Sequence, residues 1–254
     1  MKIFQFVWHA VLNLTPKLDK LQIVARYVST SSETRRNTGF CSLAKAELRR
    51  TGDDPRQFVP PSGQQWTTLS AMKSGKEAEY QNRFTQDEVD KRIWSIHTEP
   101  KFGIGQRCML LQTEHGNVLW DLITYLDDDT VQWVSYICRQ FSLAQGLHCT
   151  KIKGKGGLVA IVISHPHYYT TYANWPRVFG CPVYTAIDDK EWFCQQPYEQ
   201  KHLRLLQSIT EEIVPGVTAI KIGGHFDGSL VLHWQNKIFI ADSLVTVPVS
   251  VKLG

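Results

Sequence analysis

Two histidines one residue apart, His165 and His167, close the β-branched apolar run Ile161-Val162-Ile163-Ser164. Imidazole nitrogens are common metal donors, and strand ends are where α/β proteins place their chemistry. On an extended segment residues i and i+2 point the same way, so both rings can reach one ion. Two further apolar runs end in metal-ligand residues: 217–222 runs into Gly223-Gly224-His225, and 237–241 into Asp242. The glycine pair before His225 lets the backbone approach closely. A His-Pro-His by itself reads more often as a turn with exposed imidazoles; Gly-Gly-His and the strand-terminal acid, in that order, favour metal binding. His97, His115, His148, His202 and His233 lack such company and are expected on the surface or in packing.

The elements that must position these residues are mostly strands. The segment 93–97 alternates, and 107–113 and 117–121 are apolar runs joined by Glu114-His115-Gly116, a hairpin signal. Asp127-Asp128-Asp129 followed by Val131, Val134 and Ile137 at helical spacing predicts a helix over 124–137, with carboxylates at its N-terminal dipole; an EF-hand ligand pattern is absent. Residues 158–163 read as a buried strand, 170–179 as a helix, 183–186 as a strand and 188–193 as a helical turn. Strands are expected at 203–213, 217–222, 229–234 and 237–241. The tryptophans Trp120, Trp175, Trp192 and Trp234 are expected in core or rim packing. A β-rich order with intervening helices implies a sheet protein covered by helices.

Upstream, 1–50 is a basic extension, loosely ordered or a targeting segment; 51–92 is ordered coil followed by one or two exposed helical turns over 69–92. The core domain is 93–254, with an insertion at 138–157 that loops out and lacks the spacing of a phosphate-binding P-loop.

Composition narrows the function classes. The chain of 254 residues is 43% hydrophobic, with no apolar run long enough to span a bilayer. The formal charge of +4 is an N-terminal matter: residues 1–50 hold nine Lys/Arg against three acids, leaving nineteen against twenty-one beyond. The body therefore has no basic excess for nucleic acid, and the expected partner is a small-molecule substrate, with neither nucleic acid nor membrane. Six cysteines without regular spacing read as reduced, which favours a cytoplasmic address; the targeting reading of 1–50 would make it mitochondrial. Oligomeric state is left open.

Together, His165-Pro-His167-Tyr168-Tyr169, Gly224-His225-Phe226 and Ala241-Asp242, with the hairpin ending at Trp120-Asp121, resemble the metallo-β-lactamase superfamily over roughly residues 93–243. More closely they resemble an uncharacterised fungal and bacterial branch, through Thr98–Phe102, Gly105-Gln106-Arg107 and Val118–Asp121 as well. The resemblance implies an α/β fold, an αββα sandwich apparently incomplete at its C-terminus. It implies a zinc ligand set of His165, His167, His225 and Asp242, and zinc-bound hydroxide attacking an ester-, thioester- or amide-type carbonyl. Where the superfamily has Asp-His, this sequence has Tyr169-Thr170, and the late histidine beyond Asp242 has no counterpart, so one ion is expected and a second site is not. Catalytic roles then fall to Asp242 and Tyr169, with Tyr168 and Asp227 as neighbours. The alternative is a zinc-binding protein of the same fold without turnover.

Overall fold

The computed structural model describes residues 10–13, 67–75, 78–102, 105–144, 157–193 and 202–244. The expectations for the N-terminal extension (apart from 10–13), for coil 51–66 and for most of the insertion lie outside them.

Two sheets form the frame. The seven-stranded sheet runs in the order β2 (Gln81–Gln86), β3 (Ile93–Glu99), β4 (Arg107–Thr113), β5 (Gly116–Trp120), β6 (Leu158–Val162), β7 (Val183–Ala186), β8 (Leu203–Leu206). Strands β2 to β5 are antiparallel neighbours, whereas β5 to β8 pair in parallel. The five-stranded sheet is antiparallel, in the order β1 (Ala10–Asn13), β12 (Lys237–Ile240), β11 (Leu230–Trp234), β10 (Val217–Lys221), β9 (Thr210–Val214).

The sheets face each other across a core of Met109, Leu111, Val118, Trp120, Ala160 and Val162 from one and Val217, Ala219, Leu230, Leu232 and Phe239 from the other. The opposite face of the seven-stranded sheet packs under helices: Leu110, Leu119, Ile161 and Val183 meet Val134 and Cys138 of α2 (Asp128–Ala144) and Trp175 and Phe179 of α3 (Asn174–Phe179). A short helix, α1 (Leu69–Lys73), closes one corner through Met72 against Phe102 and Tyr125. The expected two-sheet α/β sandwich is present. The outer face of the five-stranded sheet carries Val231 and Ile240 in a small cluster to which no described helix contributes. Among the described residues no helix is long and apolar enough to cross a membrane.

Four expectations change. Helical turns were expected across 69–92, but α1 ends at Lys73 and Gln81–Gln86 is an edge strand paired with β3. Its single large apolar residue, Phe84, stacks on Trp133 at 4.1 Å, so the strand is specified by a distant partner. The stretch 203–213 is two strands, β8 and β9, and they belong to different sheets. Helix α2 runs on to Ala144 through the start of the expected insertion, its first turn held by Asp127 accepting from the Thr130 amide at 2.8 Å. Within 170–179, a 3₁₀ turn over Pro166–Thr171 is followed by α3, which carries Pro176 in its first turn and ends on Gly180 at φ +67. The four tryptophans behave as expected, with Trp120, Trp175 and Trp234 buried and Trp192 packed at the edge.

Candidate metal centre

The parallel strand β6 is apolar on both faces because it lies between β5 and β7 and under a layer on each side. Its end delivers His165 in extended conformation, at φ −166 and ψ 171, and Pro166 then starts the 3₁₀ turn. The pleat therefore does not aim the two rings. The turn brings His167 beside His165 at a ring separation of 5.0 Å and an interplanar angle of 70°.

His225 sits between β10 and β11, in a loop that opens on two glycines at φ +65 and +95. The loop is closed by the Ile222 and Gly223 amides donating to the Ser229 carbonyl, and by the Phe226 amide donating to Ser229 Oγ at 2.8 Å. Two contacts join it to the other sheet: the Leu230 amide donates to the Ser164 carbonyl, and the Gly228 amide to buried Asp189 at 2.9 Å. Asp242 follows the end of β12.

From these separate elements His165, His167, His225 and Asp242 converge, their donor atoms all within 4.8 Å of one another. Asp242 Oδ2 lies 3.5 Å from His165 Nε2, 3.7 Å from His167 Nδ1 and 3.6 Å from His225 Nε2. His225 Nε2 and His167 Nδ1 are 3.4 Å apart. Bonds of ~2.0–2.1 Å in a tetrahedron put ligand atoms about 3.3–3.4 Å from one another, close to the 3.4–3.7 Å separations around Asp242 Oδ2 and between His225 and His167. His165 Nε2 and Asp242 Oδ1 are buried without a hydrogen-bond partner, as suits donors that await an ion.

A relay behind His165 sets its tautomer. Asp121, buried at the end of β5 with φ +60, accepts from the Ser164 amide at 2.7 Å and the Ser164 hydroxyl at 3.0 Å. The hydroxyl has one proton, so toward His165 Nδ1, 2.8 Å away, it acts as acceptor. His165 is then Nδ1-protonated and presents a lone pair at Nε2, the arrangement that a hydrogen-bond acceptor behind the ring imposes on metal-ligating histidines. Burial pushes the His165 pKa down, favouring this neutral form. Gln106 supports His167, donating to its carbonyl at 2.8 Å while accepting from Thr124.

The structure thus brings together all four expected ligands but not the tyrosines. The Tyr169 hydroxyl meets Thr185 and its ring stacks on Phe193. Tyr168 lies edge-on to His165 at 5.1 Å. Burial pushes both phenols well above their ordinary pKa, so neither supplies a base at neutral pH. Asp227 is exposed, two residues past His225. Sequence reasoning placed Asp121 at a strand end but missed its bond to Ser164. Spacing carried no signal for a contact spanning 43 residues.

No family model matches the chain. It is 37% identical over 183 residues to the uncharacterized protein YmaE of Bacillus subtilis (strain 168), a match covering 72% of this chain and 58% of that protein. The chain thus spans less than two thirds of this relative. Among solved structures it is similar to DIM-1 metallo-β-lactamase exposed to ceftazidime, at 13% identity and TM-score 0.42 over 59% of this chain and 64% of that one. A second is a metallo-β-lactamase from Cronobacter sakazakii (Enterobacter sakazakii), a HARLDQ-motif mutant, at 20% identity and TM-score 0.35 over 58% of each chain.

Proposed function

We propose that this chain is a metallo-β-lactamase-like protein that holds one zinc ion on His165 Nε2, His167 Nδ1, His225 Nε2 and Asp242 Oδ2, and hydrolyses an ester-, thioester- or amide-type bond of a small molecule. The observation that carries the reading is the convergence of these four donors, from loops of both sheets, within 4.8 Å. When bound, zinc would polarise the carbonyl and acidify a water. Asp121 and Ser164 hold His165 in the ligating tautomer, and Gln106 holds the backbone of His167. Asp242 is the acid at the centre, and its partnerless Oδ1 is placed to take a proton or orient a water. Tyr169 serves packing in this reading. His225, whose side chain is 11% exposed against 2–6% for the other three, marks the side from which substrate enters. The buried thiols Cys108, Cys138 and Cys181 suit a reducing, cytoplasmic address.

A second reading, a zinc-binding protein without turnover, is favoured by one observation. Asp242 Oδ2 stands 3.5–3.7 Å from all three nitrogens, placed to be a fourth ligand, and closed four-ligand shells belong to structural zinc. Metal analysis of protein purified without chelator, with His165→Ala and His225→Ala as controls, tests the shared premise. About one equivalent of zinc, lost in both variants, is expected; less than about a tenth in the unmutated protein would sink both readings. An ester and lactone panel separates them: hydrolysis abolished by both alanine changes supports the enzyme, and zinc without hydrolysis supports the closed site.

A further inference from the structure

Strand β4 starts at Arg107, at the end of the seven-stranded sheet where β5 and β6 finish and deliver Asp121 and His165. Cys108 and Leu110 enter the helix-covered face, while Met109 and Leu111 enter the core between the sheets. By this alternation Arg107 projects on the inter-sheet side, where the five-stranded sheet brings His225 and Asp242. Its cross-strand partner His97, and next to that Arg83, face the same way. The acid of this row, Glu99, accepts from Arg83 Nε at 2.8 Å and lies 3.5 Å from His97 Nε2. Among the described residues no carboxylate comes within ion-pair distance of Arg107 or of Lys101, whose stem lies over Gly105, where a Cβ would sit 2.4 Å from Lys101 Cε.

Arg107 is partly buried, and the loss of water pushes its pKa down. A half-desolvated cation without a counter-charge is unfavourable, and such uncompensated charges collect at functional sites. Arg107 stands on the strand next to β5, whose end carries Asp121, the carboxylate behind Ser164 and His165. A guanidinium offers a planar fork that matches the oxygens of a carboxylate or phosphate.

We propose that Arg107 binds an anionic group of the substrate, a carboxylate or phosphate set about two strand spacings, ~10 Å, from the metal centre. The substrate of the hydrolase reading is then a small acid. The proposal rests on that reading for what is cleaved, but not for the binding of the anion.

The test compares zinc-loaded wild-type protein with Arg107→Gln and Arg107→Lys. Calorimetry with suberate and with inorganic phosphate reads binding; hydrolysis of the p-nitrophenyl monoester of suberic acid against neutral p-nitrophenyl acetate reads selectivity. In Arg107→Gln the anion should bind about tenfold more weakly, with Arg107→Lys in between. KM for the anionic ester should rise by a similar factor relative to that for p-nitrophenyl acetate, with zinc content retained. Loss confined to suberate assigns a carboxylate, and loss confined to phosphate assigns a phosphate. Equal binding of both anions by wild type and Arg107→Gln overturns the subsite. Should that variant not fold, wild-type calorimetry decides: no saturable heat at millimolar anion overturns it, and saturable heat weakened in Arg107→Lys supports it. If neither ester is cleaved the hydrolase reading fails, yet anion binding lost in Arg107→Gln still upholds the subsite.

Discussion

At the scale of single residues, Ser164 decides which nitrogen His165 offers. Its lone hydroxyl proton goes to Asp121, and only a Nδ1–H on His165 then completes the chain. Ser164→Ala removes this orienting bond without touching a ligand, and zinc affinity should fall by about 10- to 100-fold. Competition against a chromophoric chelator measures this; an affinity equal to wild type would show that the relay does not set the tautomer. Tyr169 makes the opposite point. Its place after the histidines suggested chemistry, but its hydroxyl is spent on Thr185 inside the core.

At the scale of elements, the loop carrying His225 is held by a close approach. A Cβ at Gly228 would stand 2.6 Å from the Ala186 Cβ and 2.8 Å from the Asp189 carboxylate. Gly228→Ala should cost about 1–3 kcal/mol of stability and lower zinc occupancy, because the loop must lift with its histidine. Thermal melting and metal analysis check this together, and full zinc occupancy at unchanged stability would contradict it. At the opposite end of the sandwich, Asp90 pins the β2–β3 turn by accepting from Arg92 at 2.7 Å and pairing with Lys237 at 2.8 Å. The Arg92 bond outweighs burial and holds the Asp90 carboxyl well below the usual range. A depressed folded-state pKa means stability that is present above the unfolded value of ~3.9 and fades as pH falls below it. Asp90→Asn should therefore cost about 1–3 kcal/mol at neutral pH. The gap from wild type should narrow below about pH 4, and denaturant melts at both pH values would read it.

At the scale of the whole molecule, the four-donor cluster bridges both sheets. His165 and His167 come from the seven-stranded sheet, and His225 and Asp242 from the five-stranded one. An ion that binds only the folded arrangement stabilises it by about 4 kcal/mol at a thousandfold excess over its dissociation constant. Removing zinc should lower the melting temperature by on the order of 10 °C for a chain of this size. An unchanged melt after verified zinc removal would show that the core of Trp120, Leu232 and Phe239 holds the sheets without help.

What the sequence determined by itself was whatever is local or repeats with a fixed period. The apolar run of β6, the hairpin β4–β5, the acidic start of α2 and the order of His165, His167, His225 and Asp242 were all legible, because propensity, turn chemistry and donor type act within a few residues. Only the tertiary structure decided what depends on partners far along the chain. Edge strand β2 exists because Phe84 finds Trp133, and 203–213 splits because its halves pair with different sheets. The His165 tautomer depends on Asp121, 43 residues before Ser164. Arg107 became informative only once the fold had given the nearby acid Glu99 to Arg83 and His97. Contacts across such separations are set by packing, which no window of sequence contains.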